Sequence, residues 1–365
     1  ANRAAEILGG DRGDYRLIHP HDHVNLGQST NDVYPTAMRL AAALLLRDRL
    51  LPEVTRCAEA LASKGREFGR VVKAGRTHLQ DAAPVTLGQE FMAYGRALKN
   101  CGQNLEKAGR SLLNLGIGGS AVGTGLNAAP GYRERVVRSL AEVTGLKLRP
   151  AEDLHEAMQS MRPFVELSAA LRGLAVELNR VANDLRLLAS GPRTGLAEIS
   201  LPPVAPGSSI MPGKVNPSML EMLNMACYQV IGCDLAVSAA AQAGQLELNV
   251  MMPVIGFNLH LMIEIMGNAL RLATTKCLQG IRANVGRCRE FAEKTLGTAT
   301  ALTFDLGYVR AAEIAREAQK SGKTIRQLIL KKGVLSPAKV DRVLNLERLA
   351  RPRSRPRGKK QERKP

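Results

Sequence analysis

Residues Met219 to Ala243 read MLEMLNMACYQVIGCDLAVSAAAQA, and only Glu221 and Asp234 carry charge in the whole run. No proline interrupts it, and the strong helix formers Ala, Leu and Met recur throughout. On a helix, Cys227, Val230, Ile231, Leu235 and Val237 point to different faces, so the segment is apolar nearly all round. Such a helix needs neighbours on every side, from its own chain or from other copies.

Upstream, Leu171, Leu174, Leu178, Val181, Leu185 and Leu188 alternate steps of three and four, a heptad seam that ends at Ser190-Gly191-Pro192. Pro163 should start or kink that helix. Asp32 to Lys64, Thr86 to Leu115 and Val254 to Leu278 are further long helical candidates. Strand signals are few and short. The expected fold class is all-α, a bundle of long helices. Gly- and Pro-bearing segments break the helices at 18–36, 74–84, 114–130 and 191–217, and the polar residues suited to chemistry concentrate there. After about Asn284 the predicted helices shorten and charge rises, which marks a small C-terminal domain.

The chain has 365 residues, 45% hydrophobic and 23% charged, the composition of a globular protein with a large core. No membrane span and no signal core is expected, and six cysteines without CxxC spacing read as reduced thiols, which points to the cytoplasm. The net charge of +18 invites a nucleic-acid reading, but the last fifteen residues alone carry five Arg and three Lys against one Glu. With no Trp and 3% aromatics, stacking platforms are scarce, so the charge argues for a solvated, disordered tail over 351–365 rather than a nucleic-acid interface. His19, His21 and His23 alternate, yet no Cys or carboxylate of recognised spacing accompanies them, so no metal and no cofactor is expected.

The segment most suited to chemistry is Gly207-Ser-Ser-Ile-Met-Pro-Gly-Lys-Val-Asn-Pro217. Consecutive backbone N–H groups in a glycine-hinged loop can stabilise an oxyanion, including a deprotonated serine. Lys214 can hold a carboxylate, and Asn216 can hydrogen-bond either charge or an amine.

This string resembles the signature of the aspartase/fumarase superfamily. Gln28-Ser-Thr-Asn-Asp32, Gly75-Arg-Thr-His-Leu-Gln-Asp-Ala82, Thr86-Leu-Gly-Gln-Glu90, Gly123-Thr-Gly-Leu-Asn127 and Asn183-Asp-Leu-Arg-Leu-Leu188 resemble the family as well. The resemblance implies a long-helix central domain that forms a twenty-helix bundle in a homotetramer, with active sites shared among three subunits. It divides the chain into 1–27, a remnant of the N-terminal domain, 28–283, the central domain, 284–350, the C-terminal helical domain, and the 351–365 tail. It implies reversible elimination across a Cα–Cβ bond beside a carboxylate. Removing that Cβ proton makes a doubly charged aci-carboxylate, which needs a base and dense donors. By resemblance Ser208 is the base, and Lys214 and Asn216 fix the substrate carboxylate. Thr77 and His78 add donors near the reacting end, and Ser29, Thr30 and Asn31 hold the other carboxylate or the amine. Glu221 matches a position that orients a histidine partner.

Within the family, Ala151-Glu-Asp-Leu154 and Ala243-Gly-Gln-Leu-Glu-Leu-Asn-Val-Met251 resemble aspartases, while Met252 and the 158–164 segment depart from that pattern. The expected activity is elimination of ammonia from L-aspartate to give fumarate. Class II fumarase, acting on fumarate and L-malate, is the alternative within the family. The resemblance also places a further substrate-binding region ahead of Ala1, so an inactive oligomer of the same fold is the alternative outside catalysis.

Overall fold

The computed structural model describes residues 1–351, and long helices dominate it. The basic tail expected over 351–365 lies, beyond Arg351, outside the described residues. The single helix expected over 32–64 is two helices, Thr30–Leu45 and Leu51–Glu67, joined through a π turn at Leu46–Leu50. Leu87–Gly109, Arg162–Leu188, Ser218–Gln242 and Met252–Lys276 follow. Pro163 occupies the first turn of its helix, where a missing N–H removes no intrahelical bond. The heptad seam is buried throughout, from Leu171 to Leu188. Truncating any one of these leucines to alanine should cost about 2–5 kcal/mol.

The described residues fall into two units. The first comprises 1–58, 97–183 and 218–275. In its interior the Asn224 amide donates to Asn179 Oδ1 at 2.6 Å, and the Ser168 hydroxyl donates to Asp234 Oδ1 at 2.6 Å. Arg39 is buried, donates to the Ser111 carbonyl at 3.0 Å and lies over the Phe164 ring. Burial holds its guanidinium down at about 10, against the usual value well above that.

In this unit the Ser218–Gln242 helix resolves into two apolar stripes. Leu220, Leu223, Cys227, Val230, Val237 and Ala240 are buried, whereas Met225, Tyr228, Gly232, Leu235 and Ala239 are exposed. The exposed set repeats at steps of three and four, the spacing of a helix–helix seam. The helix is long and apolar enough to cross a membrane by length and composition, but Asn224 and Asp234 sit in its buried stripe with polar partners.

The second unit comprises, among the described residues, 59–96, 184–217 and 276–351. It holds an antiparallel hairpin, β1 (Val72–Thr77) paired with β2 (Gln80–Thr86). A second short pair joins Ile199–Ser200 to Arg282–Ala283. C-terminal helices from Tyr308 to Val343 enclose a core that includes Leu302, Ile314, Leu328, Ile329 and Val340.

Candidate active site

In the first unit, Ser29 caps the Thr30–Leu45 helix: its hydroxyl oxygen accepts from Asn31 N at 3.2 Å, which leaves the O–H to donate. Asp32 closes the capping box by accepting from Ser29 N at 3.1 Å. Its other carboxylate oxygen accepts from Gly118 N at 2.9 Å and Ser120 N at 3.0 Å. The Asn31 amide donates to the Ala121 carbonyl at 2.9 Å. Asp32, almost fully buried, thus ties the Ser29-Thr30-Asn31 turn to the glycine-rich 118–127 loop. The packing there is close: a Cβ on Gly27 would lie 2.8 Å from the Asn127 carbonyl oxygen, and one on Gly123 would lie 2.8 Å from the His155 ring. His155 follows Asp153, whose side chain caps the next short helix by accepting from His155 N at 2.8 Å. His155, which follows the 151–154 segment, therefore packs on the loop that meets Asn31.

In the second unit, Thr77 and His78 stand exposed at the tip of the hairpin. Thr77 pairs with Gln80, so His78 and Leu79 are the two turn residues, with φ of 55° and 59°. A two-residue turn with both residues left-handed is the type I′ turn, which favours Asn-Gly. Holding a histidine and a leucine there costs about 1–3 kcal/mol each. The strained residue is the candidate donor itself.

The loop bearing Ser208 has a different construction. Gly207 and Gly213 take φ of +99° and +81°. Ser208 N donates to the Lys214 carbonyl at 2.9 Å, and Lys214 N donates to the Met211 carbonyl at 3.1 Å. Met211 N donates to Ser208 Oγ at 3.2 Å. A backbone N–H already aimed at Oγ is the interaction that favours an ionised serine. Ser208 is half-buried, while Lys214 and Asn216 are exposed.

The expected residues thus form three local groups: Ser29, Thr30 and Asn31 in the first unit, and Thr77–His78 and Ser208–Lys214–Asn216 in the second. Glu221 is half-buried in the first turn of the Ser218–Gln242 helix, in the first unit. The alternating histidines serve a local turn: His19 Nδ1 accepts from Asp22 N at 3.0 Å, and His23 Nδ1 accepts from His19 N at 2.8 Å.

Three residues that the sequence reading left without a role organise these groups. Asp32 was legible through the Ser-x-x-Asp capping pattern. Arg76 and Glu198 carried no such signal, since they meet across 122 positions of chain.

A family described as lyase matches residues 1–232, and one described as fumarase C C-terminus matches residues 299–351. Among curated proteins, the aspartate ammonia-lyase of Bacillus subtilis is 48% identical over 351 residues, covering 96% of this chain and 74% of the relative. The aspartate ammonia-lyase of Helicobacter pylori strain 26695 is 44% identical over 352 residues, covering 96% and 75%. Among solved structures, a fumarate lyase:delta crystallin from Brucella melitensis superposes with a TM-score of 0.93 at 48% identity, covering 96% of this chain and 76% of that one. A class II fumarase from Schistosoma mansoni does so with a TM-score of 0.90 at 37% identity, with the same coverage. Long-helix fold and relatives agree, and the chain belongs to the lyase family of the aspartase/fumarase superfamily, on its aspartase-like side.

Proposed function

We propose that the protein is an aspartate ammonia-lyase that interconverts L-aspartate with fumarate and ammonia. The observation that carries this reading is the Met211 N–H aimed at Ser208 Oγ at 3.2 Å inside a loop hinged by Gly207 and Gly213. Ser208, ionised, takes the Cβ proton of aspartate. The electron pair left on Cβ delocalises into the adjacent carboxylate, then forms the Cα=Cβ bond as the Cα–N bond breaks and the ammonium departs as neutral ammonia. Lys214 and Asn216 neutralise and hydrogen-bond the carboxylate that gains charge. Thr77 and His78 add donors at the reacting end. Ser29, Thr30 and Asn31, at a helix N-terminus where N–H groups favour an anion, hold the second carboxylate. Glu221 orients a histidine partner.

The protein acts as a homotetramer in the cytoplasm, with each site assembled from three subunits. The support is the exposed stripe Met225, Tyr228, Gly232, Leu235 and Ala239, which has the spacing of a seam and lies on a helix whose other face is buried. Sedimentation that gives a stable monomer at micromolar concentration overturns that assembly.

The activity is tested by following fumarate absorbance with L-aspartate and with L-malate. Aspartate turns over well and malate poorly, because an amine departs unaided while hydroxide must be protonated by a dedicated acid. Faster turnover of malate moves the protein to the fumarase branch, to which the Schistosoma relative belongs by its description.

A further inference from the structure

The hairpin that carries Thr77 and His78 rests on a set of four charges, of which Lys73 and Glu198 are buried and Arg76 and Glu90 half-buried. Lys73 Nζ lies 2.7 Å from Glu90 Oε1 and 3.0 Å from Glu198 Oε2, and Arg76 Nη1 lies 2.9 Å from Glu198 Oε1. The Glu198 side chain is 0% exposed and that of Lys73 is 2% exposed. Two cations and two carboxylates balance, as buried charge requires. The Arg76 guanidinium also lies over the Phe291 ring, 5.2 Å from its centre.

Glu198 is itself fixed at both backbone poles. Its N–H donates to the Leu188 carbonyl at 2.9 Å, and its carbonyl accepts from Asn284 N at 2.9 Å. The chain runs on from it through the Ile199–Ser200 strand toward the loop that carries Ser208. One carboxylate therefore joins the segment that leads to the proposed base with the strand that ends at the proposed donors. The clamp grips β1 at Lys73 and Arg76, immediately before the left-handed His78-Leu79 turn. Residues in such a conformation persist only where the surroundings over-determine them. On the other strand, Leu296 N donates to Asp81 Oδ2 at 3.2 Å and the Thr295 hydroxyl donates to the Ala82 carbonyl at 3.1 Å, so β2 is held from its far side too.

From this geometry we infer that Glu198, through Arg76 and Lys73, is a positioning residue for the lyase reaction: it sets the His78 turn in the geometry that the transition state needs. The inference rests on the reading of Thr77 and His78 as substrate donors given above. A structural ion cluster alone would stabilise the fold without touching the rate of folded protein. A positioning cluster sets the rate, because a displacement of about 1 Å in a catalytic group costs up to ~100-fold.

The test compares Arg76→Lys, Glu198→Gln and His78→Asn in the purified full chain, with kcat, KM for aspartate and the urea midpoint measured for each. Arg76→Lys keeps the charge balance while losing the Nη1 contact that reaches Glu198. It should lower kcat by about 10- to 100-fold, leave KM within about threefold and leave the midpoint near wild type. Glu198→Gln should lower kcat to a similar extent and the midpoint as well. If it does not fold, Arg76→Lys and Glu198→Asp carry the test, with Glu198→Asp expected between Gln and wild type. Wild-type kcat in folded Arg76→Lys and Glu198→Gln, beside a slow His78→Asn, overturns the positioning role and leaves the site reading standing. Wild-type kcat in His78→Asn overturns the reading of His78, and the inference with it.

Discussion

The 72–86 hairpin and the 207–217 loop both carry residues assigned to the reaction, and they are held by opposite means. Beneath the hairpin, a carboxylate with no exposed surface ties two strand cations, and a strained turn stands on top of that anchor. The loop closes on itself through Ser208 N to the Lys214 carbonyl and Met211 N to Ser208 Oγ, while Ile210 is 83% exposed and Met211 48% exposed. Donors aimed at developing charge must be set before the reaction, since reorganising them during it would cost the stabilisation they provide. A base that must meet a substrate and release a product can sit on a segment that closes and opens. The difference in anchoring thus follows the difference in task.

The largest effect that would sharpen this contrast is chemical. Ser208→Ala should lower kcat by about 100- to 10,000-fold with the urea midpoint unchanged, because the hydroxyl anchors little besides its own loop. Turnover that survives this change removes the proposed base. Next comes the backbone. A Cβ on Gly75 would lie 2.5 Å from the Ala83 carbonyl oxygen, whereas nothing lies within 4 Å of one on Gly213. Gly75→Ala should therefore cost about 1–3 kcal/mol or more by forcing β1 and β2 apart. Gly213→Ala should cost only the ~1 kcal/mol of a left-handed alanine. Equal losses in denaturant titrations would break the distinction between an anchored hairpin and an open loop.

Alkaline pH should act on the hairpin side through one buried thiol, as it does elsewhere through Cys57, Cys227 and Cys277, which burial also pushes up. The Cys288 thiol lies 3.5 Å from the Glu198 carbonyl, and burial, aided by the Glu198 charge, pushes it up to about 12. In the unfolded chain it ionises near 9, so its contribution is intact below about pH 9 and is lost as pH rises from there toward 12. The slope is about 1.4 kcal/mol per pH unit for the one thiol. Cys288→Ala should flatten the alkaline fall in the unfolding midpoint, and an unchanged fall would show that the thiol does not ionise on unfolding. The smallest effect concerns salt. Raising ionic strength from about 0.1 to 1 M shortens the Debye length from about 10 to 3 Å. The KM for aspartate should rise a few-fold through the exposed Lys214, while the buried pairs hold and the midpoint barely moves. A large drop in the midpoint would place the hairpin's ion set within reach of solvent.

Much of the helical frame was legible because periodicity is local: the Leu171–Leu188 seam is buried as its spacing requires. The π turn at Leu46–Leu50 is masked because LRDRL itself continues the helical pattern, and the break is marked only by Pro52, in the first turn of the helix that follows. The 219–243 run was read as apolar all round, which is true of its composition. That one stripe is buried and the other exposed depends on neighbours that no local window contains. At the site, the hydroxyl, amide and cation of the 207–217 loop were visible as types. Ser29 as a helix cap is local to the Ser-x-x-Asp pattern, whereas Asp32 as the tie to the 118–127 loop and Glu198 as the hairpin's anchor emerge only when distant segments meet. Buried charge is the hardest feature to read from a sequence, because a glutamate in Gly195-Leu-Ala-Glu198 looks the same whether it faces water or two cations.

The exposed stripe of the Ser218–Gln242 helix has a thermodynamic consequence of its own. Surface that is satisfied only by another copy of the chain ties folding to mass action, so in the proposed tetramer the free energy of the native state contains the protein's own concentration. Dilution then acts as a denaturant: the thermal midpoint falls as protein is withdrawn, and an isolated chain presents Met225, Tyr228 and Leu235 to whatever apolar surface comes first.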